Sequence, residues 1–218
     1  MAGADSNLRT FIAIELPPAV QTAIAEEQAR IQAHLRQAGA PNILRWTAPG
    51  NVHLTLRFLG DTTPTQRRHI IAGLQRAAPA WPVVALAVGG LGCFPNLRAL
   101  RVVWLGLEGE RAALDAIQAQ VEALVQEAGF PAEERSFSPH LTVARVRKEA
   151  SRAEVQRTGQ ALAAYIAQRP TSLLAGPFSV DHLVYFRSDL RPSGSLYTPL
   201  ATVQIGGATP QPPATPPR

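Results

Sequence analysis

The spacing of apolar positions changes several times along the chain, and each change marks an element. Residues 9–15 (Arg-Thr-Phe-Ile-Ala-Ile-Glu) form an apolar run closed by Pro17-Pro18, which predicts a strand. Over 18–39 the residues Val20, Ile24, Ile31 and Leu35 recur at helical spacing, with Gly39 as a stop signal. A strand at 52–59, a short helix at 64–78 carrying Ile70, Ile71 and Leu74, and a strand at 83–88 follow. The pattern then starts again. It predicts a strand at 100–107, and a helix at 111–128 with Leu114, Ile117, Val121, Leu124 and Val125 on one side, closed by Gly129. A strand at 140–146, a helix at 151–168 that Ser151 can cap, and strands at 180–187 and 197–205 complete the reading.

The order strand, long helix, strand, helix, strand thus occurs twice. Phe11 precedes His53 by 42 residues (53 − 11) and Val102 precedes His140 by 38 (140 − 102), a duplication too irregular for a solenoid. The expected fold class is α+β: two pseudo-symmetric lobes, each an antiparallel sheet with helices on its outer side, facing across a central cleft. One bilobal domain is expected over 9–206, after a short extension at 1–8. Residues 207–218 are proline-rich without hydrophobic periodicity, and a disordered tail is expected there.

Composition narrows the class. With 46% hydrophobic and 17% charged residues among 218, the chain can bury a sizeable core. Its one cysteine, Cys93, excludes an internal disulfide and a cysteine-based zinc cluster, and its apolar neighbours mark it as a packed thiol. No apolar run approaches the roughly 20 residues of a membrane span, and the first seven residues do not read as a signal peptide. A soluble, cytoplasmic protein is expected. A net charge of +5 and a pI near 10.3 favour a polyanionic partner without choosing among RNA, DNA and acidic metabolites.

The chemistry concentrates in two tetrapeptides, His53-Leu-Thr-Leu56 and His140-Leu-Thr-Val143. Side chains alternate along a strand, so each histidine shares a face with the threonine two residues on, while the aliphatic residues face a core. Either tetrapeptide alone is a weak signal. Two in matching positions of similar half-chains can meet across one cleft. A neutral imidazole can then take a proton while a protonated one gives a proton, both forms being accessible near neutrality. Threonine hydroxyls and nearby cations suit the charged oxygens of a phosphoester.

Together with their flanks, these residues resemble a known family. Arg9-Thr-Phe-Ile-Ala-Ile-Glu-Leu-Pro17, Asn51-Val-His-Leu-Thr-Leu-Arg-Phe-Leu-Gly60, Cys93-Phe-Pro95 with Leu100-Arg-Val-Val-Trp-Leu-Gly106, and Phe137-Ser-Pro-His-Leu-Thr-Val-Ala-Arg145 are similar to the bacterial 2′-5′ RNA ligase family. That family belongs to the two-histidine phosphoesterases and is described as RNA 2′,3′-cyclic phosphodiesterases. The resemblance runs to about Ile205, through Tyr185-Phe-Arg-Ser188 and Gly194-Ser-Leu-Tyr197. It implies hydrolysis of a terminal 2′,3′-cyclic phosphate to a 2′-phosphate without metal or other cofactor. It further implies His53 as proton donor to the departing 3′ oxygen, His140 as the base that activates water, and Thr55 and Thr142 as phosphate ligands. The expected partner is RNA with a cyclic phosphate end. No membrane and no obligate protein partner are implied, and a monomer is expected.

Two arginines compete for the phosphate. The family pattern points to Arg145, yet regular alternation puts residue 145 on the face opposite His140 unless the strand ends or bulges near Ala144. Alternation instead gives Arg57 the face of His53. Both remain candidates. Alternation also assigns Phe58 to the core, while Trp46 stays open between packing and stacking on a base. His34 and His69 read as surface residues and His182 as a structural one; no close His/Cys/Asp/Glu cluster suggests zinc. Rival functions are cleavage of 2′-5′-linked oligonucleotides by the same acid–base pair, ligation as the reverse reaction, and an RNA-binding module with a dormant site.

Overall fold

In the computed structural model of the protein, residues 6–169, 173–191 and 194–207 are described. The proline-rich segment from 208 onward lies outside them. Thirteen elements follow in chain order: β1 (Leu8–Glu15), α1 (Pro18–Gln37), β2 (Leu44–Trp46), β3 (His53–Thr62), α2 (Pro64–Ala77), β4 (Val84–Phe94), β5 (Val102–Gly109), α3 (Arg111–Glu127), β6 (Leu141–Val146), α4 (Arg152–Ala167), β7 (Leu173–Val180), β8 (His182–Arg191) and β9 (Gly194–Gln204).

The strands join in the order β7-β4-β5-β6-β3-β1-β8-β9, with the short β2 also paired to β6, and every pairing is antiparallel. The sheet divides at its middle, where β3 and β6 meet through the single pair Leu54 and Leu141. Outward from that seam the lobes match strand for strand, β3-β1-β8-β9 against β6-β5-β4-β7. The fold is α+β and bilobal. The lobes are not the two halves of the chain, however: β4 completes the second lobe while β8 and β9 return to complete the first. The helices are exchanged likewise. Helix α1 packs with α4 and touches β7; α3 packs with α2 and touches β3.

The helical faces read from spacing are the ones buried. Ile24, Ile31, Leu114, Ile117, Val121 and Val125 are fully excluded from solvent, and each such aliphatic contributes about 1.5–3 kcal/mol by leaving water. Both strands of the seam run into a helix opened by a capping box, Thr63 with Gln66 on α2 and Ser151 with Glu154 on α4. His34 differs from expectation: its Nε2 lies 3.1 Å from the Ala161 carbonyl and its ring meets Tyr165 edge-on, so it ties α1 to α4. His69 is exposed. No helix among the described residues is long and apolar enough to cross a membrane.

Candidate active site

The seam makes the site. Leu54 pairs with Leu141, so the antiparallel register carried one residue either way sets His53 across from Thr142 and Thr55 across from His140. Residues opposite one another share a face, with Cβ atoms about 5 Å apart. Both imidazoles and both hydroxyls therefore form a square about the local two-fold axis, in a cleft of about 460 Å³ that they line with Arg9, Arg45, Arg145, Phe58 and Tyr197.

Each histidine is held in the same way. Nδ1 of His53 lies 2.8 Å from the Asn51 carbonyl, and Nδ1 of His140 lies 2.7 Å from the Ser138 carbonyl. A carbonyl can only accept, so Nδ1 carries the hydrogen in both rings and Nε2 is the nitrogen left to exchange protons. Asn51 is itself anchored, its side-chain amide donating to the Ser195 carbonyl of β9 at 3.1 Å. Aromatic walls fix the ring planes. His53 lies against Phe11 at 4.8 Å and edge-on to Tyr197 at 5.1 Å; His140 stands edge-on to Phe94 at 4.9 Å, with Trp104 at 6.4 Å. Gly92 allows that second wall, because a Cβ there would come within 2.2 Å of the Trp104 ring. Burial is the main cause that lowers the pKa of His53, with Arg145 and His140 adding positive charge nearby.

Two bulges set which arginine faces the cleft. On β3, Ile12 pairs with Arg57 and Ala13 with Thr55, leaving Leu56 as an extra residue. On β6, Val103 pairs with Ala144 and Trp104 with Thr142, leaving Val143 extra. Each bulge lies three residues after its histidine and reverses the alternation beyond it. Arg145 is thereby turned into the cleft, where it is exposed. Arg57 is turned away from it, contrary to the simple alternation argument. It is 8% exposed, with Nε 2.7 Å from Glu122 and Nη1 2.7 Å from Glu133, and it donates through Nη2 to the Pro131 carbonyl. It is a brace between β3 and the α3 region.

Phe58 is corrected for the same reason. It is 43% exposed and lines the cleft, with the Arg9 guanidinium 4.5 Å over its ring. Trp46 is half-buried on β2, its ring packed partly against the core and partly in the wall of the adjoining groove. His182 sits at the start of β8 with Nδ1 2.6 Å from Asp181, away from the cleft. Cys93 is partly buried, which raises its pKa, and it does not line the cleft. Arg9, Arg45 and Tyr197 were absent from the sequence-based candidates, since only the sheet order brings β1, β2 and β9 to one cleft. Among the described residues no group of three His, Cys, Asp or Glu side chains is placed to hold a metal ion.

Paired imidazoles with Nδ1 bound to a carbonyl, flanked by hydroxyls and guanidinium groups, are the groups that acid–base cleavage of a phosphoester requires. The comparisons with known proteins agree. Residues 16–191 match the family described as the 2′-5′ RNA ligase superfamily, and the chain belongs to that family. It is 30% identical over 199 residues to an RNA 2′,3′-cyclic phosphodiesterase of Methanothermobacter thermautotrophicus, covering 91% of this chain and 100% of the relative. It is 30% identical to a Thermotoga maritima protein of the same name, covering 92% and 97% of the two chains. Among solved structures, the protein TT0787 of Thermus thermophilus superposes with a TM-score of 0.72 at 26% identity, over 92% of this chain and 100% of the other.

Proposed function

We propose that the protein hydrolyses 2′,3′-cyclic phosphate ends of RNA to 2′-phosphates, using His53 and His140 as the acid–base pair. The observation that carries this reading is the seam, which gives each imidazole a pinned Nδ1, a free Nε2 and a threonine across from it. The names of the relatives supply the substrate class. In the forward reaction Nε2 of His140 takes a proton from water as its oxygen attacks phosphorus. Nε2 of protonated His53 gives its proton to the 3′ oxygen as the P–O3′ bond breaks. Thr55, Thr142 and Arg145 hold the nonbridging oxygens, whose charge grows in the transition state. Phe58 offers the terminal base a partly exposed ring. The site supplies its own acid, base and cation, all from one chain, and we place the reaction in a cytosolic monomer that needs no metal.

Purified protein incubated with an oligoribonucleotide ending in 2′,3′-cyclic phosphate, in excess chelator, should yield the 2′-phosphate isomer. A 3′-phosphate product, or turnover that requires an added divalent metal, would overturn this mechanism.

A further inference from the structure

The cleft does not end at the histidines. It shares the walls Arg45 and Arg145 with a neighbouring depression of about 310 Å³. That depression shares Arg45 and Trp46 with a third, of about 550 Å³, which Arg36 and Arg147 also line. Among the described residues no aspartate or glutamate lines any of the three, although the chain carries 16 acidic residues. Among the described residues Arg30, Arg57, Arg169 and Arg187 each sit against a carboxylate, whereas Arg36, Arg45, Arg145 and Arg147 do not. Unpaired guanidinium groups in an acid-free groove, with an indole in its wall, are the arrangement that tracks a single-stranded nucleic-acid backbone.

We infer that this groove, past Arg45 and Trp46 to Arg36 and Arg147, binds the RNA strand leading up to the cyclic end. The inference rests on the cyclic phosphodiesterase reading, which fixes the terminal phosphate at the histidines and leaves the upstream strand to exit beside Arg145. From Thr142 to Arg147 the near-extended chain advances five residues (147 − 142), about 16 Å at ~3.3 Å per residue. That accommodates roughly five stacked nucleotides at ~3.4 Å each. The groove thus makes the protein a reader of RNA ends attached to a strand, rather than of cyclic mononucleotides.

The test uses the full chain with Arg36→Gln and Arg147→Gln together. Both side chains are exposed and neither lines the histidine cleft, so the fold and the chemistry are retained. Substrates are a 2′,3′-cyclic mononucleotide and oligoribonucleotides of increasing length with the same end. For the unaltered protein kcat/KM should climb with length and level off near five nucleotides. The double variant should lose about tenfold on a hexamer and nothing on the mononucleotide. Its slope of log kcat/KM against log salt should be shallower by about 1.4, two phosphate contacts at ~0.7 each. Absence of length dependence, or equal losses on both substrates, would overturn the groove. If the unaltered protein turns over neither substrate, the phosphodiesterase reading fails and binding decides the groove separately. A labelled hexaribonucleotide with a 2′-phosphate should then bind with the same loss in the variant. Equal binding by both proteins, or competition by a polyglutamate peptide of equal charge, removes the inference.

Discussion

The strands that carry His53 and His140 can be laid on one another through the seam. From Leu54 to Phe58 the residues run buried, half-buried, buried, buried, exposed, and from Leu141 to Arg145 they run identically. Histidine, threonine two residues on, a bulge at the third and a re-aimed side chain at the fifth are common to both. Two positions differ. At the fifth, one lobe presents the ring of Phe58 and the other the guanidinium of Arg145. At the fourth, Arg57 is braced by two carboxylates where Ala144 is merely packed. In the proposed mechanism that symmetry sets an acid and a base on either side of a phosphate. The departure from it sets an apolar ring and a cation at matching positions of one cleft, which would let the proposed site distinguish the two ends of a nucleotide.

The largest effects should come from what the lobes share. His53→Ala and His140→Ala should each lower turnover by about 10²–10⁴-fold, the scale of a positioned acid or base. Both proteins should stay folded by circular dichroism. The double variant should be far less impaired than the product of the single losses, because both groups act in one transition state. Near-normal turnover in either single variant would remove that histidine from the mechanism.

The two arginines should separate cleanly. Arg145→Gln removes a charged donor from the cleft, worth about 1.5–3 kcal/mol, and kcat/KM should fall roughly 10–100-fold at unchanged stability. Arg57→Met should leave turnover of the folded protein intact and lower its unfolding free energy by about 2–3 kcal/mol. That figure is below the ~3–5 kcal/mol for a fully buried pair, because Glu133 is 42% exposed and partly screened. Denaturant melts and initial rates on both variants check the contrast. A turnover defect in Arg57→Met larger than that in Arg145→Gln would invert the assignment.

Phe58→Ala should have a smaller effect, confined to binding. Losing a stacking face costs about 1–3 kcal/mol per base, so KM should rise several-fold or more while kcat changes little. If kcat falls instead and KM holds, Phe58 shapes the reacting geometry and is not a platform for a base.

Periodicity made the four helices legible in the sequence, because long amphipathic patterns average over many residues. Pairing His-Leu-Thr tripeptides likewise brought four site residues together before any sheet was built. What escaped was local or topological. The three-residue β2 is too short to show alternation, and Gly176-Pro177 disguised β7, which tolerates a proline as an edge strand. Single-residue bulges at Leu56 and Val143 are invisible to a strict two-residue period. Each of them reverses the assignments just beyond it, and the alternation argument therefore puts Arg57 and Phe58 on the wrong faces. The exchange of β4 against β8 and β9 between lobes has no signature in a linear repeat, and it brings Tyr197 to His53.

The finest test of the comparison concerns protons. His53 is the imidazole whose pKa is lowered, first by burial and then by the charges of Arg145 and His140. Its proton therefore leaves at lower pH than the ordinary 6.5 in the free protein, and an anionic phosphate bound between the lobes opposes that loss. The full bell of kcat/KM cannot say which histidine is the acid, because reverse protonation gives the same curve. In His140→Ala only one catalytic imidazole titrates, and the bell should collapse to one limb. With His53 as proton donor, residual kcat/KM should fall as pH rises through the His53 pKa. Adding Arg145→Gln removes a charge that lowers this pKa, so the same limb should move to higher pH. A residual rate that rises with pH in His140→Ala would make His53 the base and leave the two-histidine mechanism standing with its roles exchanged. A rate flat with pH in both backgrounds would mean that His53 exchanges no proton in the reaction and holds the phosphate only through its hydrogen bonds.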